Sequence, residues 1–374
     1  MPDSRVENEI IVLLGEGYSI DMYCVKHNDL PKEEQENGFR ILREIPKNVH
    51  RPFSKEFRSF VKEFVNNLSQ MEFDIVHCHD FRMFFLGCEI KKKKPEITLV
   101  YDSHEYLAGY PYYRRSKELK ARIKGFFIWN YYFQKERRNL NKADHIITVS
   151  QTLLDLLVKR SGKPGILLRN LPPTTQKCTG TCNYWHKKFN LTPETKIIIH
   201  TGTAQFSGYR RTFLLECVEE DPNLALVFLG SSRTTEEMKS VVEEKKLKST
   251  FFHDSVNRSE ITYYCSQADI GLVYTWNKKW TSYWYALPNK MMDVSLSGIP
   301  VLSTEQPELK KFIDEFQHGI TFNGEEKSSL KEAIQLLLEK YDVLKSSAEK
   351  IAAKFNWEIE SRKLIGLYQQ IEKS

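Results

Sequence analysis

The segment 285–300, YALPNKMMDVSLSGIP, sets a proline, an amide, an ammonium and a carboxylate at the opening of one amphipathic helix. Pro288 and Asn289 suit the N-terminal turn, where unpaired backbone N–H groups and the helix dipole attract phosphate. Lys290 adds a mobile positive charge, and Asp293 can accept hydrogen bonds from a diol. Gly298 and Pro300 close the helix, and Val301 and Leu302 begin a buried strand. On local signal alone this is equally a well-capped helix, so its meaning depends on the rest of the chain.

Further cations and imidazoles stand where strands are expected to end. GTAQFSGYRRTFL, from Gly202, follows the apolar run KIIIH, and FLGSSRTTEEMK places Lys239 after the next strand. Both positions are at the carboxyl ends of strands, where open α/β sheets bind ligands. Arg210 and Arg211 are equal candidates there, each also readable as surface charge. VYDSHEY puts Asp102, Ser103, His104 and Glu105 at another strand end, and DIVHCHD sets His77 and His79 on one face of an extended segment. A lone histidine is more often a structural hydrogen-bonder than a catalyst, and strand-end placement is what raises His104 above that. Cys178, Cys182 and His186 have a metal-like spacing without a fourth ligand, and no DxD-type triplet stands on a suitable loop. No essential metal or other cofactor is expected.

The elements that must position these groups alternate along the chain. In the first half the pattern predicts helix 4–17, strand 18–25, helix 53–70, strand 73–78, helix 81–92, strand 97–102, helices within 116–142 and strand 145–149. After ILLRNLPP at 166–173, strands are predicted at 196–201, 224–230, 250–253, 269–274, 300–303 and 318–321, with helices between them and a long one at 326–353. Such alternation argues for parallel sheets with crossover helices. An open sheet of this kind should begin with a strand and a glycine turn, yet the chain enters its first helix at once, so that strand is expected upstream of Met1.

A chain of 374 residues, 41% of them hydrophobic, suffices for two cores. Its seven cysteines, an odd number scattered through apolar runs, fit reduced cytosolic thiols. No apolar run approaches the length of a membrane span. The net charge of +6 is mild, and no nucleic-acid partner is expected. KKKK at 91–94 and the stretch 112–138 concentrate the basic charge, and in the second Phe126, Phe127, Trp129, Tyr131, Tyr132 and Phe133 exceed one buried stripe. That stretch is the candidate for peripheral contact with an anionic membrane; ordinary helix packing is the alternative.

Read together, YALPNKMMD, DIVHCHD, VYDSHEY, KADHIITVSQTL and ADIGLVYTW resemble, in order, the motifs of the family 4 glycosyltransferases of the GT-B fold, in the subgroup where LPNK precedes the acidic residue. The resemblance runs from Asp3 to near Trp357. It implies two Rossmann-like doubly wound domains facing a central cleft: an acceptor-side domain at 1–165, a nucleotide-sugar domain at 166–353 and a helix at 354–374 crossing back. It implies a nucleotide-sugar donor, a polysaccharide or lipid-linked glycan acceptor, a cytoplasmic location and retention of anomeric configuration. Arg210 or Arg211 with Lys239 would hold the diphosphate, and Gly202, Asn289 and Lys290 would line the donor site. His104 would lie beside the reacting sugar. Asp293 takes the position that binds ribose hydroxyls, where glutamate is usual. The family's other acidic position, eight residues earlier, holds Tyr285, which leaves the contact to the donor sugar unassigned. A catalytically silent partner protein and a nucleotide-sugar epimerase are the competing readings; the upstream strand and Tyr285 favour the first of these, while the cations and Asp293 favour transfer.

Overall fold

The computed structural model describes residues 4–373 except 28, 48–52, 107–110, 116, 172–182, 204–207, 277 and 279. Cys178, Cys182 and the middle of the loop after Gly202 lie outside the described residues. The chain divides into two compact units. Unit 1 comprises 1–169, 280–282 and 361–374, and unit 2 comprises 170–279 and 283–360.

Unit 1 contains α1 (Ser4–Gly15), β1 (Asp21–Val25), β2 (Glu33–Glu36), β3 (Phe39–Ile45), α2 (Lys55–Ser69), β4 (Ile75–His79), α3 (Asp80–Lys91), β5 (Thr98–Ser103), α4 (Leu119–Asn139), β6 (His145–Thr148), α5 (Gln151–Ser161) and β7 (Gly165–Leu167). Its strands form two sheets, β1-β3-β2 and the all-parallel β4-β5-β6-β7. The core packs on β5, where Leu99 and Tyr101 are fully buried and the Tyr101 ring stacks on Phe84 at 4.2 Å. Among the described residues β1 pairs only with β3, and β4 only with β5. The β2–β3 hairpin is absent from the sequence reading. Its turn, Asn37-Gly38, has both residues in the left-handed region (φ 46° and 93°), the geometry that two-residue hairpin turns require.

Unit 2 contains α6 (Tyr184–Phe189), β8 (Lys196–Thr201), α7 (Tyr209–Glu219), β9 (Leu224–Leu229), α8 (Arg233–Lys245), β10 (Thr250–His253), α9 (Ile261–Ser266), β11 (Ile270–Val273), α10 (Thr281–Trp284, begun in unit 1), α11 (Asn289–Leu296), β12 (Val301–Thr304), α12 (Pro307–Phe316), β13 (Gly319–Phe322), α13 (Lys327–Glu339), α14 (Tyr341–Lys354) and the start of α15 (Trp357–Glu372). The six strands are all parallel in the order β10-β9-β8-β11-β12-β13. All six residues of β9 are buried, as expected of a strand covered on both faces. The predicted single helix at 326–353 is instead two. The chain leaves helical geometry at Lys340 (φ −101°, ψ 12°), and Leu330, Ile334 and Leu337 on one side and Leu344 on the other reach the same core.

Candidate functional site

Unit 2 has the doubly wound order in which the sheet reverses between its first strand, β8, and its fourth, β11. Crevices at that switch point, beyond the carboxyl ends of the strands, bind nucleotides in such sheets. Gly202 directly follows β8 with φ +64°, a left-handed conformation open to glycine, and a Cβ there would meet nothing within 4 Å. α11 lies down close on the sheet because Gly271 of β11 has no side chain; a Cβ there would sit 2.5 Å from Val294. The head of α11 is thereby fixed beside the end of β8. Lys290 Nζ donates to the Thr203 carbonyl (2.7 Å) and lies 3.2 Å from His200 Nε2. Burial draws the Lys290 ammonium down to about 8, partly offset by Asp293. The side-chain amide of Asn170 reaches Asn289 Oδ1 at 3.3 Å.

Asp293, one turn further along α11, is buried, and burial raises its pKa against the pull of Arg258 and Lys290. Arg258 Nη1 stands 2.6 Å from Asp293 Oδ1, an ion pair. Arg258 and His200 escaped the sequence reading. Arg258 lies on a one-turn 3-10 helix remote in sequence, and His200 was hidden inside an apolar strand run. Tyr285 lies part-buried in the segment leading into α11.

The other expected phosphate ligands each meet a carboxylate. Arg210 Nη2 is 3.3 Å from Glu325, Arg211 is 3.9 Å from Glu237, and Lys239 donates to Glu236 one turn away (2.9 Å).

In unit 1 a second cluster forms where β4 and β5 end. Arg5 of α1 grips Asp102 with Nε and Nη2 (2.8 and 3.0 Å) and donates from Nη1 to the Leu168 carbonyl (2.8 Å). His104 Nε2 and His79 Nδ1 each lie 3.1 Å from Asp102 Oδ2 and 3.1 Å from one another. Asp80, strained at φ +63°, accepts the His104 backbone N–H (3.2 Å) and faces its Nδ1 at 3.9 Å. Burial disfavours a charged His104, but Asp102 and Asp80 outweigh it and raise its pKa to about 9, so the imidazolium persists at neutral pH. Burial likewise opposes ionised Asp102, yet Arg5 and His104 hold its carboxyl well below the usual range. His77 takes the Tyr368 hydroxyl of α15 at 2.9 Å, and burial keeps it neutral. Glu9, pushed up by burial to about 7, completes the group. Glu9, His77, His79 and Asp102 together have the donor set of a cation site. Arg5 Nε, 2.8 Å from Asp102 and 3.0 Å from Glu9, already brings positive charge to that spot.

α4 carries the aromatic stretch. Leu119, Ile123, Phe126 and Phe127 are exposed, as are Lys120, Arg122 and Lys124, whereas Tyr132 is buried in the core. Trp129 and Phe133 are part-buried and stack on one another at 5.3 Å. Among the described residues no helix is long and apolar enough to cross a membrane.

Two α/β units with parallel sheets and strand-end clusters of this kind define a GT-B architecture, and comparison with known proteins agrees. Residues 6–168 match the model described as Glycosyltransferase Family 4, and residues 184–355 match Glycosyl transferases group 1. The chain has the GT-B fold, and its two halves are similar to these two glycosyltransferase families. Its fold is similar to sucrose-phosphate synthase from Thermosynechococcus elongatus, with a TM-score of 0.73 at 16% identity over 98% of this chain and 92% of that one. It is similar to a glycosyltransferase from Rickettsia africae, with a TM-score of 0.68 at 13% identity over 98% of this chain and 95% of that one. Anabaena HepE, in its complex with UDP-glucose, gives 0.63 at 13% identity over 83% and 82%. No curated protein matches the chain in sequence.

Proposed function

We propose that the protein transfers a hexose from a nucleoside diphosphate sugar to a glycan or lipid-linked acceptor, with retention of configuration. The observation that carries this reading is the Lys290 ammonium fixed at the head of α11, beside the Gly202 turn at the switch point of the unit 2 sheet. There the helix N-terminus and the ammonium would meet the diphosphate, whose negative charge grows as the glycosidic bond breaks. Asp293 would accept hydrogen bonds from ribose hydroxyls once Arg258 shares or yields its contact. His104, cationic and held by Asp102, would stand on the acceptor side and bind the sugar. This assigns charge stabilisation to side chains and backbone with no essential metal, and the leaving phosphate would help to deprotonate the acceptor. HepE was solved with UDP-glucose, which favours a uridine nucleotide as the first donor to try.

The exposed apolar and basic face of α4 supports peripheral contact with anionic lipid from the cytoplasmic side, and hence a lipid-linked acceptor. A thermal-shift panel of nucleoside diphosphates tests the donor reading. A ligand at a hundred times its Kd should stabilise the fold by about 2.7 kcal/mol. If neither UDP nor GDP shifts the transition, the reading fails.

A further inference from the structure

Four cations in unit 2 are candidates for the donor diphosphate, and they differ in what holds them. Arg210, Arg211 and Lys239 each face a carboxylate. Lys290 is held instead by two neutral acceptors, the Thr203 carbonyl at 2.7 Å and His200 Nε2 at 3.2 Å. His200 is fully buried, its ring edge-on to Phe228 at 5.6 Å. Its Nδ1 lies 3.1 Å from the Leu272 carbonyl of β11. A carbonyl only accepts, so with the proton on Nδ1 toward Leu272, Nε2 presents a lone pair to Lys290, while the Thr203 carbonyl, which also faces the ring, is taken by the ammonium. Burial and the neighbouring ammonium both keep His200 neutral. An ammonium has three N–H donors, and these two bonds fix the direction of the third.

We infer that His200 is a positioning residue that, with the Thr203 carbonyl, aims Lys290 as the principal side-chain cation for the donor diphosphate, in place of Arg210, Arg211 and Lys239. This rests on the donor-binding reading above. A charge paired with a carboxylate is partly compensated before a ligand arrives; Lys290, hydrogen-bonded to neutral acceptors with Asp293 acting on it only without a direct contact, is desolvated and gains more from an incoming anion.

The test is calorimetric titration of UDP into the full chain and its variants, each checked for folding by circular dichroism. Lys290→Ala and His200→Phe should weaken UDP by about tenfold or more, the worth of one hydrogen bond to a charged group. Phe fills the space beside Phe228. His200→Gln, whose Oε1 can accept from Nζ, should return affinity to within about threefold of wild type. Arg210→Ala and Lys239→Ala should change it less than Lys290→Ala does. A role confined to packing would leave the pH profile alone. Here wild-type affinity should fall as pH rises through about 8, and in His200→Phe the fall should come at lower pH. Wild-type affinity and profile in His200→Phe, or a larger loss in Lys239→Ala than in Lys290→Ala, would overturn the inference while leaving donor binding intact. If wild type binds neither UDP nor GDP, the donor reading fails and this inference falls with it.

Discussion

In unit 1 the cations at the strand ends are matched by carboxylates: Arg5 and His104 share Asp102, and Asp80 faces the far side of His104. In unit 2 the lysine at the head of α11 is held by a carbonyl and an imidazole. The two settings move their groups in opposite directions, His104 up to about 9 and Lys290 down to about 8. A matched cation is a fixed part of the fold with a dependable charge. A desolvated one favours whatever anion arrives to complete it. The unit 1 cluster therefore reads as preorganised scaffold around a cationic histidine, and the unit 2 group as a site waiting for a negatively charged ligand.

The comparison breaks most visibly at Asp102. Asp102→Asn leaves buried Arg5 with only Glu9, itself pushed up to about 7, as counter-charge and strips His104 of its partner, so unfolding stability should drop by about 3–5 kcal/mol in urea denaturation. A loss below about 1 kcal/mol would mean that the cluster is not load-sharing in this way. In unit 2, Asp293→Ala should leave stability closer to wild type and raise the donor KM by about ten- to a hundredfold, the worth of a charge-assisted bond to ribose. Unchanged donor affinity moves the ribose contact elsewhere.

His104 sharpens the contrast through pH. Its folded pKa is raised, so the folded state binds the proton more tightly than the unfolded state, for which about 6.5 applies. Its contribution is complete below about 6.5 and disappears as pH rises through about 9. Wild type should lose stability relative to His104→Phe over that window, on the order of 3 kcal/mol for a shift from 6.5 to about 9. Parallel curves for the two proteins would mean that His104 is not held as an imidazolium.

Much of this organisation was legible in the sequence, because apolar runs and helical periods are local. The alternation gave the parallel sheets, and segment 285–300 gave a helix with Lys290 and Asp293 on its early turns. What stayed hidden depends on partners far apart in the chain. Arg5 and Asp102 are 97 residues apart, and Lys290 and His200 are 90. No spacing rule links such pairs. The Glu325, Glu237 and Glu236 partners of Arg210, Arg211 and Lys239 were equally invisible, since a basic residue near a strand end looks the same whether or not a carboxylate folds against it. The Asn37-Gly38 hairpin is different: its turn signal is local and readable, but β2 is the polar run EEQE, which lacks the apolar alternation that marks a strand.

The smallest expected effect is at the surface. Replacing Phe126 and Phe127 by serine, or Lys120 and Lys124 by glutamate, should weaken sedimentation with anionic vesicles at low salt while leaving UDP affinity unchanged. Each exposed cation contributes about 1 kcal/mol, and added salt should erase that part. A wild-type protein that ignores anionic vesicles at low salt removes α4 from the account of acceptor delivery.

The most direct measurement is peptide-resolved hydrogen exchange of the wild-type chain with and without saturating UDP. Nucleotide held between the end of β8 and the head of α11 should slow exchange in peptides covering 196–203 and 289–296, and should leave those covering 75–80 and 98–104 unaltered. Protection confined to the second pair of regions, or absent from the first while UDP is bound, would contradict the assignment of the donor to Lys290 and Asp293.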